Sequence, residues 1–169
     1  MGSERRRVLV LTVGILAGPS AGSKIHEMHR QQPTDFWVTM PSTRPDYGMT
    51  WTEAQARLDA KERLDLMIEF GREMGESIDG TVSLEPMPDA ALAEAIRDRG
   101  PFDEIVVIDN LRGMKGRFEK KMVESAREDH GIPVHHWEAD PPTKQGAKWD
   151  PVELRQAFEA ARDEMLRDS

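Results

Sequence analysis

The chain has 169 residues and a formal net charge of −8 at pH 7, with 38% hydrophobic and 32% charged residues. These values are typical of one soluble, acidic domain that can bury a core, and they exclude collagen-like, wholly disordered and disulfide-scaffold proteins. Because the sequence contains no cysteine, thiolate nucleophiles, zinc ribbons and iron–sulfur clusters are excluded as well. The negative charge argues against a general nucleic-acid-binding role.

The first apolar run, Val8–Ala17, follows three arginines and has two interpretations. A basic segment, a short apolar run and small residues outline a secretory signal. The side chains of Val8–Val13, followed by Gly14, are instead typical of a buried strand. The run is too short to span a bilayer, which takes about 20 apolar residues. We favour the strand, and we expect residues 1–6 to be disordered and the protein to be cytoplasmic, without membrane binding.

Helix-like and strand-like segments then alternate along the chain. Apolar stripes with capping residues at their start predict helices, and short runs rich in β-branched residues predict strands. The predicted helices are Ser20–Gln32, Thr50–Gly75, the segment from Pro88 to the Gly100 stop, and Met114–His130, which Gly131 caps. The predicted strands after the first are Asp35–Met40, Ile78–Leu84, Asp103–Asp109 and Ile132–Trp137. This alternation predicts an α/β fold: a doubly wound, five-stranded parallel sheet with helices on both faces.

The C-terminal part of the chain is predicted to be a linker and an extra helix. Residues 139–150 are rich in Pro, Gly and Lys, and Pro141-Pro142 is incompatible with regular structure. Asp150–Glu153 forms a capping box with a proline at the first helical position. We therefore expect the α/β domain over residues 7–138, the linker over 139–150 and an amphipathic helix over 151–169.

Two loops lie where open parallel sheets bind ligands, outside the carboxyl ends of strands at which the strand order reverses. The first, Gly14–Ser20, does not lead into a P-loop, because three residues rather than four separate Gly18 from Gly22 and Ser23 precedes Lys24. An ordinary turn and an anion site at a helix N-terminus both fit this segment.

The second loop, Asp109–Arg117, is richer in residue types that bind anions. Gly113 and Gly116 allow the backbone to approach a ligand closely. The cations around these glycines are Arg112, Lys115 and Arg117. Cations at a helix N-terminus oppose the helix dipole, and a bound phosphate would relieve that conflict. A solvated helix face on which Glu119 and Glu124 pair with the cations explains the same residues equally well.

The sequence assigns no residue a catalytic or metal-binding role. His26 and His29 are three apart on a predicted helix, which is not the spacing of zinc proteases, and no third ligand is near. We interpret both as surface histidines. His135 and His136 are neighbours on a predicted strand, so they face opposite sides and cannot chelate a metal together.

In the order of its segments the chain resembles the universal stress protein family, of the adenine-nucleotide alpha-hydrolase-like superfamily. The resemblance covers roughly Arg7–Trp137 and rests on RVLVLTVG, on FDEIVVID with Gly113-Met-Lys-Gly116 behind it, and on GIPVHHW. DFWVTMPSTRP and the helix start at Trp51 resemble a divergent, actinobacterial-type branch. The resemblance implies the strand order three-two-one-four-five, which would place the loops Gly14–Ser20 and Asp109–Gly116 beside each other.

The resemblance also implies a ligand, ATP or another adenine nucleotide, bound without turnover. Its phosphates would contact the Gly113–Gly116 loop, and its adenine would lie at the ends of the first and second strands. The implied nucleotide-binding residues are Val13, Gly14, Met40, Pro41, Asp109, Gly113, Lys115 and Gly116. Two features depart from the family pattern. Val13-Gly14 replaces the aspartate of ATP-binding members, and their later glycine–serine/threonine pair is replaced by Ala126-Arg127 or, in another alignment, by Lys120-Lys121.

For partners, the resemblance implies a homodimer through the edge strand Ile132–Trp137, although the C-terminal helix could cover that edge or dock on another protein. No nucleic-acid partner is expected. The preferred function is a universal stress protein-like binding or regulatory domain of the stress response. The alternatives are a ligand-free interaction scaffold of the same fold and, third, a magnesium-dependent nucleotide hydrolase or transferase that uses Asp109.

Overall fold

A computed structural model describes residues 5–13, 19–41, 53–85, 87–109, 124–125, 127–138 and 151–167. The strands are β1 (Arg6–Val13), β2 (Thr34–Met40), β3 (Ser77–Val82), β4 (Glu104–Asp109) and β5 (Val134–Glu138). The helices are α1 (Pro19–Gln31), α2 (Glu53–Glu73), α3 (Pro88–Arg99) and α4 (Pro151–Arg167). Residues 124–125 and 127–130 are also helical.

The five strands form one all-parallel sheet in the order β3-β2-β1-β4-β5, which confirms the predicted fold. The central strand β1 has an apolar sequence from Val8 to Leu11, as expected of a parallel strand that is covered on both faces. Val8, Leu9, Val10 and Leu11 are all 0% exposed. Val8–Val13 of the first apolar run therefore lie in the central strand of the domain.

Alternate side chains of β1 enter two separate cores, as the period of a strand requires. Val8 and Val10 pack on one face with residues of α1 and α2, and we call this the α1–α2 face. Leu9 and Leu11 pack on the other face with residues of α3, and we call this the α3 face. The helices therefore cover both sides of the sheet.

The arginines before the apolar run are part of the folded domain. The Arg6 guanidinium donates to the carbonyl of Met28 at 2.9 Å, and the Arg7 guanidinium donates to the carbonyl of Pro101 at 2.8 Å. These bonds tie the start of β1 to α1 and to the turn after α3. β1 begins at Arg6, one residue before the expected start of the domain.

The predicted helix boundaries are close to those observed. Pro88 lies in the first turn of α3, and the N–H of Gly100 bonds the carbonyl of Ile96 at its end. Gly131 has a φ of +63°, which favours glycine, and it ends the helical residues 127–130 as predicted. The first part of the helix predicted over Met114–His130, the Thr50 capping box and the 139–150 linker lie outside the described residues, so the proposed domain boundaries stay predictions.

The C-terminal helix α4 forms as predicted and packs on α1 and α2. Arg155 Nη1 lies 3.1 Å from Glu69 Oε1, and Arg162 Nη1 lies 2.5 Å from Glu73 Oε2. Among the helices of the described ranges, none has the length and apolar composition needed to cross a bilayer.

Candidate functional site

The carboxyl edge of the sheet brings together the ends of β1 and β4. The two strands are paired up to their last residues, so that Val13 lies opposite Asp109. The strand order reverses at this point, because β2 and β3 lie on one side of β1 while β4 and β5 lie on the other. A crevice at such a reversal is the usual ligand site of open parallel sheets.

The described residues of the predicted nucleotide site lie at this edge. Val13, Met40 and Asp109 are the last residues of β1, β2 and β4, and the buried Pro41 follows Met40 directly. The remaining predicted contacts, Gly14, Gly113, Lys115 and Gly116, lie outside the described residues. The fold therefore starts the two predicted loops from adjacent strand ends, and nucleotide binding by these residues stays a prediction.

Met40 packs in the core with its side chain and bonds Ser83 with its backbone. It is 1% exposed and belongs to the core of the α1–α2 face. Its carbonyl accepts a hydrogen bond from the N–H of Ser83 at 2.8 Å. The side chain of Met40 therefore contributes to the core.

Ser83 fixes the same edge at the end of β3. It is 0% exposed, and its hydroxyl donates to Glu94 Oε1 of α3 at 3.2 Å and accepts from the N–H of Glu85 at 3.0 Å. With the bond to Met40, these contacts join β2, β3 and α3. The N–H and hydroxyl groups of Ser83 are therefore already paired within the protein.

Two threonines at the edge have unused hydroxyl groups. Thr12 and Thr39 are the penultimate residues of β1 and β2 and are 3% and 1% exposed. Neither hydroxyl has a hydrogen-bond partner within the described part of the chain. Burying an unpaired hydroxyl costs about 1–3 kcal/mol. Sequence analysis missed both, although each is a polar residue near the end of an otherwise apolar strand.

The side chains of the two threonines point to different faces of the sheet. Thr12 shares the α1–α2 face with Val8 and Val10, because residues two apart point the same way. Thr39 pairs in register with Leu11, so it shares the α3 face. Thr12 directly precedes Val13, which lies at the β1–β4 crevice, whereas Thr39 lies on β2.

A second polar pair lies at the opposite, amino edge of the sheet. His26 Nδ1 of α1 lies 3.1 Å from Oε1 of Glu76, the residue before β3. Burial raises the pKa of Glu76 to about 8, and burial, followed by the charges of Arg30 and His29, lowers the pKa of His26. His26 is therefore a partly exposed histidine whose side chain, 20% exposed, is paired with Glu76.

His29, the second histidine of α1, has a backbone hydrogen bond. His29 Nδ1 accepts a hydrogen bond from the N–H of Thr34 at 3.4 Å. Across the ranges that the structure describes, no three or more His, Asp or Glu side chains are grouped so that they could hold a metal ion.

Comparison with protein-family models gives no match, and neither does comparison with curated proteins. Among solved structures, the universal stress protein from Archaeoglobus fulgidus has 16% identity and a TM-score of 0.51, over 78% of this chain and 93% of that chain. The complex of a deacetylase in the biosynthesis pathway of teicoplanin has 12% identity and a TM-score of 0.52, over 93% of this chain and 82% of that chain. At these identities the likeness shows a shared fold, which agrees with the universal stress protein-like sheet predicted from the sequence.

Proposed function

We propose that this chain is a universal stress protein-like binding and regulatory domain that binds an adenine nucleotide without turnover. The observation that supports this is the pairing of Val13 with Asp109, which starts the Gly14–Ser20 and Asp109–Arg117 loops from adjacent strand ends where the strand order reverses. Occupancy of the crevice would shift an equilibrium between two states of the protein or of its complex with a partner.

In this proposal the phosphates bind the loop after β4. Backbone N–H groups of Gly113 and Gly116 and the cation of Lys115 would then be their donors, which is the donor set that an anion prefers. The adenine lies beside Val13 and Gly14 at the end of β1. The Thr12 hydroxyl, one residue before Val13, has no hydrogen-bond partner among the described residues and could donate to the adenine.

The proposal includes a cytoplasmic location, a role in the stress response and a homodimer formed through the edge strand Ile132–Trp137. β5 is the last strand of the sheet on its side, and an exposed edge strand favours pairing with another strand. The contacts of α4 with α1 and α2 give that helix a site on its own domain.

A second candidate, a ligand-free scaffold of the same fold, is favoured by one observation. Met40, which the nucleotide hypothesis places against adenine, is 1% exposed in the core. In addition, Val13 stands where the resemblance implies an aspartate in ATP-binding members. In the scaffold the carboxyl edge holds no ligand, and the function lies in contacts with a partner.

Thermal unfolding in the presence of ATP, ADP, AMP and cyclic AMP, with and without magnesium, tests the proposal. A ligand present at 100 times its Kd stabilises the folded state by about 2.7 kcal/mol. We expect at least one nucleotide to raise Tm in the native chain and in Lys61→Ala, an exposed control on α2, and not in the Gly113→Ala/Lys115→Ala variant. No shift with any nucleotide would support the scaffold, and steady loss of ATP would instead show a hydrolase.

A further inference from the structure

Arg127 bonds the strand that follows it through two guanidinium nitrogens. It lies in the helical residues 127–130, and its Nε and Nη2 atoms donate to the carbonyl of Val134 at 3.0 Å and 2.5 Å. The carbonyl of Arg127 itself accepts from the N–H of Gly131 at 3.1 Å. With its φ of +63°, Gly131 turns the chain back so that Arg127 lies alongside the start of β5.

The Val134 carbonyl points to the outer side of β5, away from β4. The N–H of Ile105 on β4 donates to the carbonyl of Pro133 at 2.9 Å, so Pro133 faces β4. Because successive residues of a strand direct their backbone polar groups to opposite sides, Val134 and His136 face outward. β5 is the end strand of the sheet, and the guanidinium of Arg127 therefore occupies a carbonyl on the outer edge.

A strand that adds to an edge needs these outward groups. In an antiparallel pair of two β5 strands related by a twofold axis at His136, Val134 would lie opposite Glu138 of the second copy, and each pair would exchange two backbone hydrogen bonds. The Val134 carbonyl would then have to accept from that second copy. Arg127 already fills this position with two charge-assisted bonds, which are stronger than neutral ones.

We propose that Arg127 is an edge guard, which limits pairing of β5 with a second copy of this chain for as long as its guanidinium stays on Val134. Its release frees the Val134 carbonyl to accept from a strand of the second copy, and its retention withholds that carbonyl from pairing. The inference concerns the regulation of the proposed dimer edge and does not depend on whether a nucleotide binds. Natural sheets protect their edges by similar placement of charged side chains.

Sedimentation equilibrium of the full chain tests the guard. Arg127→Met keeps a long aliphatic side chain and removes the donors, and Arg97→Met is the matched control, since Arg97 is an exposed α3 residue paired with its neighbour Asp98. Both changes move the net charge from −8 to −9, which opposes self-association. We expect Arg127→Met to lower the dimer Kd by about tenfold or more relative to the native chain and the control.

Hydrogen exchange gives an independent measure on the same samples. In Arg127→Met the outward amides of Val134 and Glu138 should gain protection as protein concentration rises. An equal or higher dimer Kd in Arg127→Met would overturn the guard, and Arg127→Ala is measured in the same way if Arg127→Met does not fold. A monomeric native chain with a dimeric Arg127→Met would support the guard while contradicting the proposed native homodimer. A native dimer whose Kd is unchanged by either substitution would support the proposed homodimer and contradict the guard.

Discussion

His26 and Glu76 form a hydrogen-bonded pair, with Nδ1 of the imidazole 3.1 Å from Oε1 of the carboxyl group. The Glu76 side chain is 1% exposed and the His26 side chain is 20% exposed. Burial raises the pKa of Glu76 to about 8 and lowers the pKa of His26, so both shifts favour the neutral form of the group. The protonated carboxyl group can then donate to Nδ1, which satisfies both groups without burying a charge.

The stability of the protein should fall as the pH rises between about 4.5 and 8 through this carboxyl group. Glu76 binds its proton more tightly in the folded state, with a pKa of about 8 against an ordinary value of 4.5, so its stabilising contribution is complete below pH 4.5 and is lost as the pH rises to 8. The slope is at most about 1.4 kcal/mol per pH unit. Urea unfolding of the native chain and Glu76→Gln between pH 5 and pH 9 measures it.

The Gln variant should lose this slope and become more stable relative to the native chain as the pH increases. Glu62→Gln, at an exposed position on α2, should keep the native pH dependence. Identical pH dependence of the native chain and Glu76→Gln would contradict the assignment.

Leu11 tests the role of the central strand. It is 0% exposed in the core of the α3 face, so Leu11→Ala should lower the free energy of unfolding by about 2–5 kcal/mol. Leu58 is 63% exposed, and Leu58→Ala should change it by less than about 0.5 kcal/mol. Equal losses of unfolding free energy in the two variants, measured by chemical denaturation, would show that Leu11 of β1 is not a core residue.

Gly80 and Gly131 should respond differently to alanine. A Cβ on Gly80 would lie 2.3 Å from the carbonyl oxygen of Val38 on the neighbouring strand, and backbone cannot move aside easily. A Cβ on Gly131 meets no described atom within 4 Å, so its cost is the strain of a φ of +63°, about 1–2 kcal/mol. We expect Gly80→Ala to lower Tm more than Gly131→Ala, and the opposite order would contradict the observed β2–β3 packing.

The Thr12 hydroxyl should lower the stability of the protein in the absence of a ligand. Replacing its unpaired hydroxyl by a methyl group in Thr12→Val should raise the free energy of unfolding by about 1 kcal/mol without nucleotide. Thr81→Val, at an exposed position of β3, should have little effect. A loss of stability in Thr12→Val would show that the hydroxyl has a partner in the folded protein.

The apolar runs predicted the strands well because a parallel sheet buries its strands on both faces, and Val8–Val13 and Asp103–Asp109 are such runs. The edge strand was less well bounded: β3 ends at Val82 rather than Leu84, and the next residue, Ser83, bonds Glu94 of α3 through its hydroxyl. The strand order needed the family resemblance, since an alternating pattern fixes the elements but not their neighbours.

The tertiary pairs could not be predicted from local patterns. Glu76 joins a histidine that is 50 residues away, and its neighbours in sequence give no indication of its burial. Met40 follows an apolar run and is equally compatible with a core position and with a ligand contact. Only the packing of β2 against α1 and α2 assigns it to the core.

Amide chemical shifts during titration with ATP test the central claim most directly, because the domain is small at 19.1 kDa. The account predicts saturable shifts at the carboxyl edge, including the amides of Val13 and Asp109, and none at the amino edge, where Arg7 and Ile105 lie. Their loss in Gly113→Ala/Lys115→Ala would assign them to the loop after β4. Saturable shifts confined to the amino edge, or no shifts at millimolar ATP, would contradict a nucleotide site between β1 and β4.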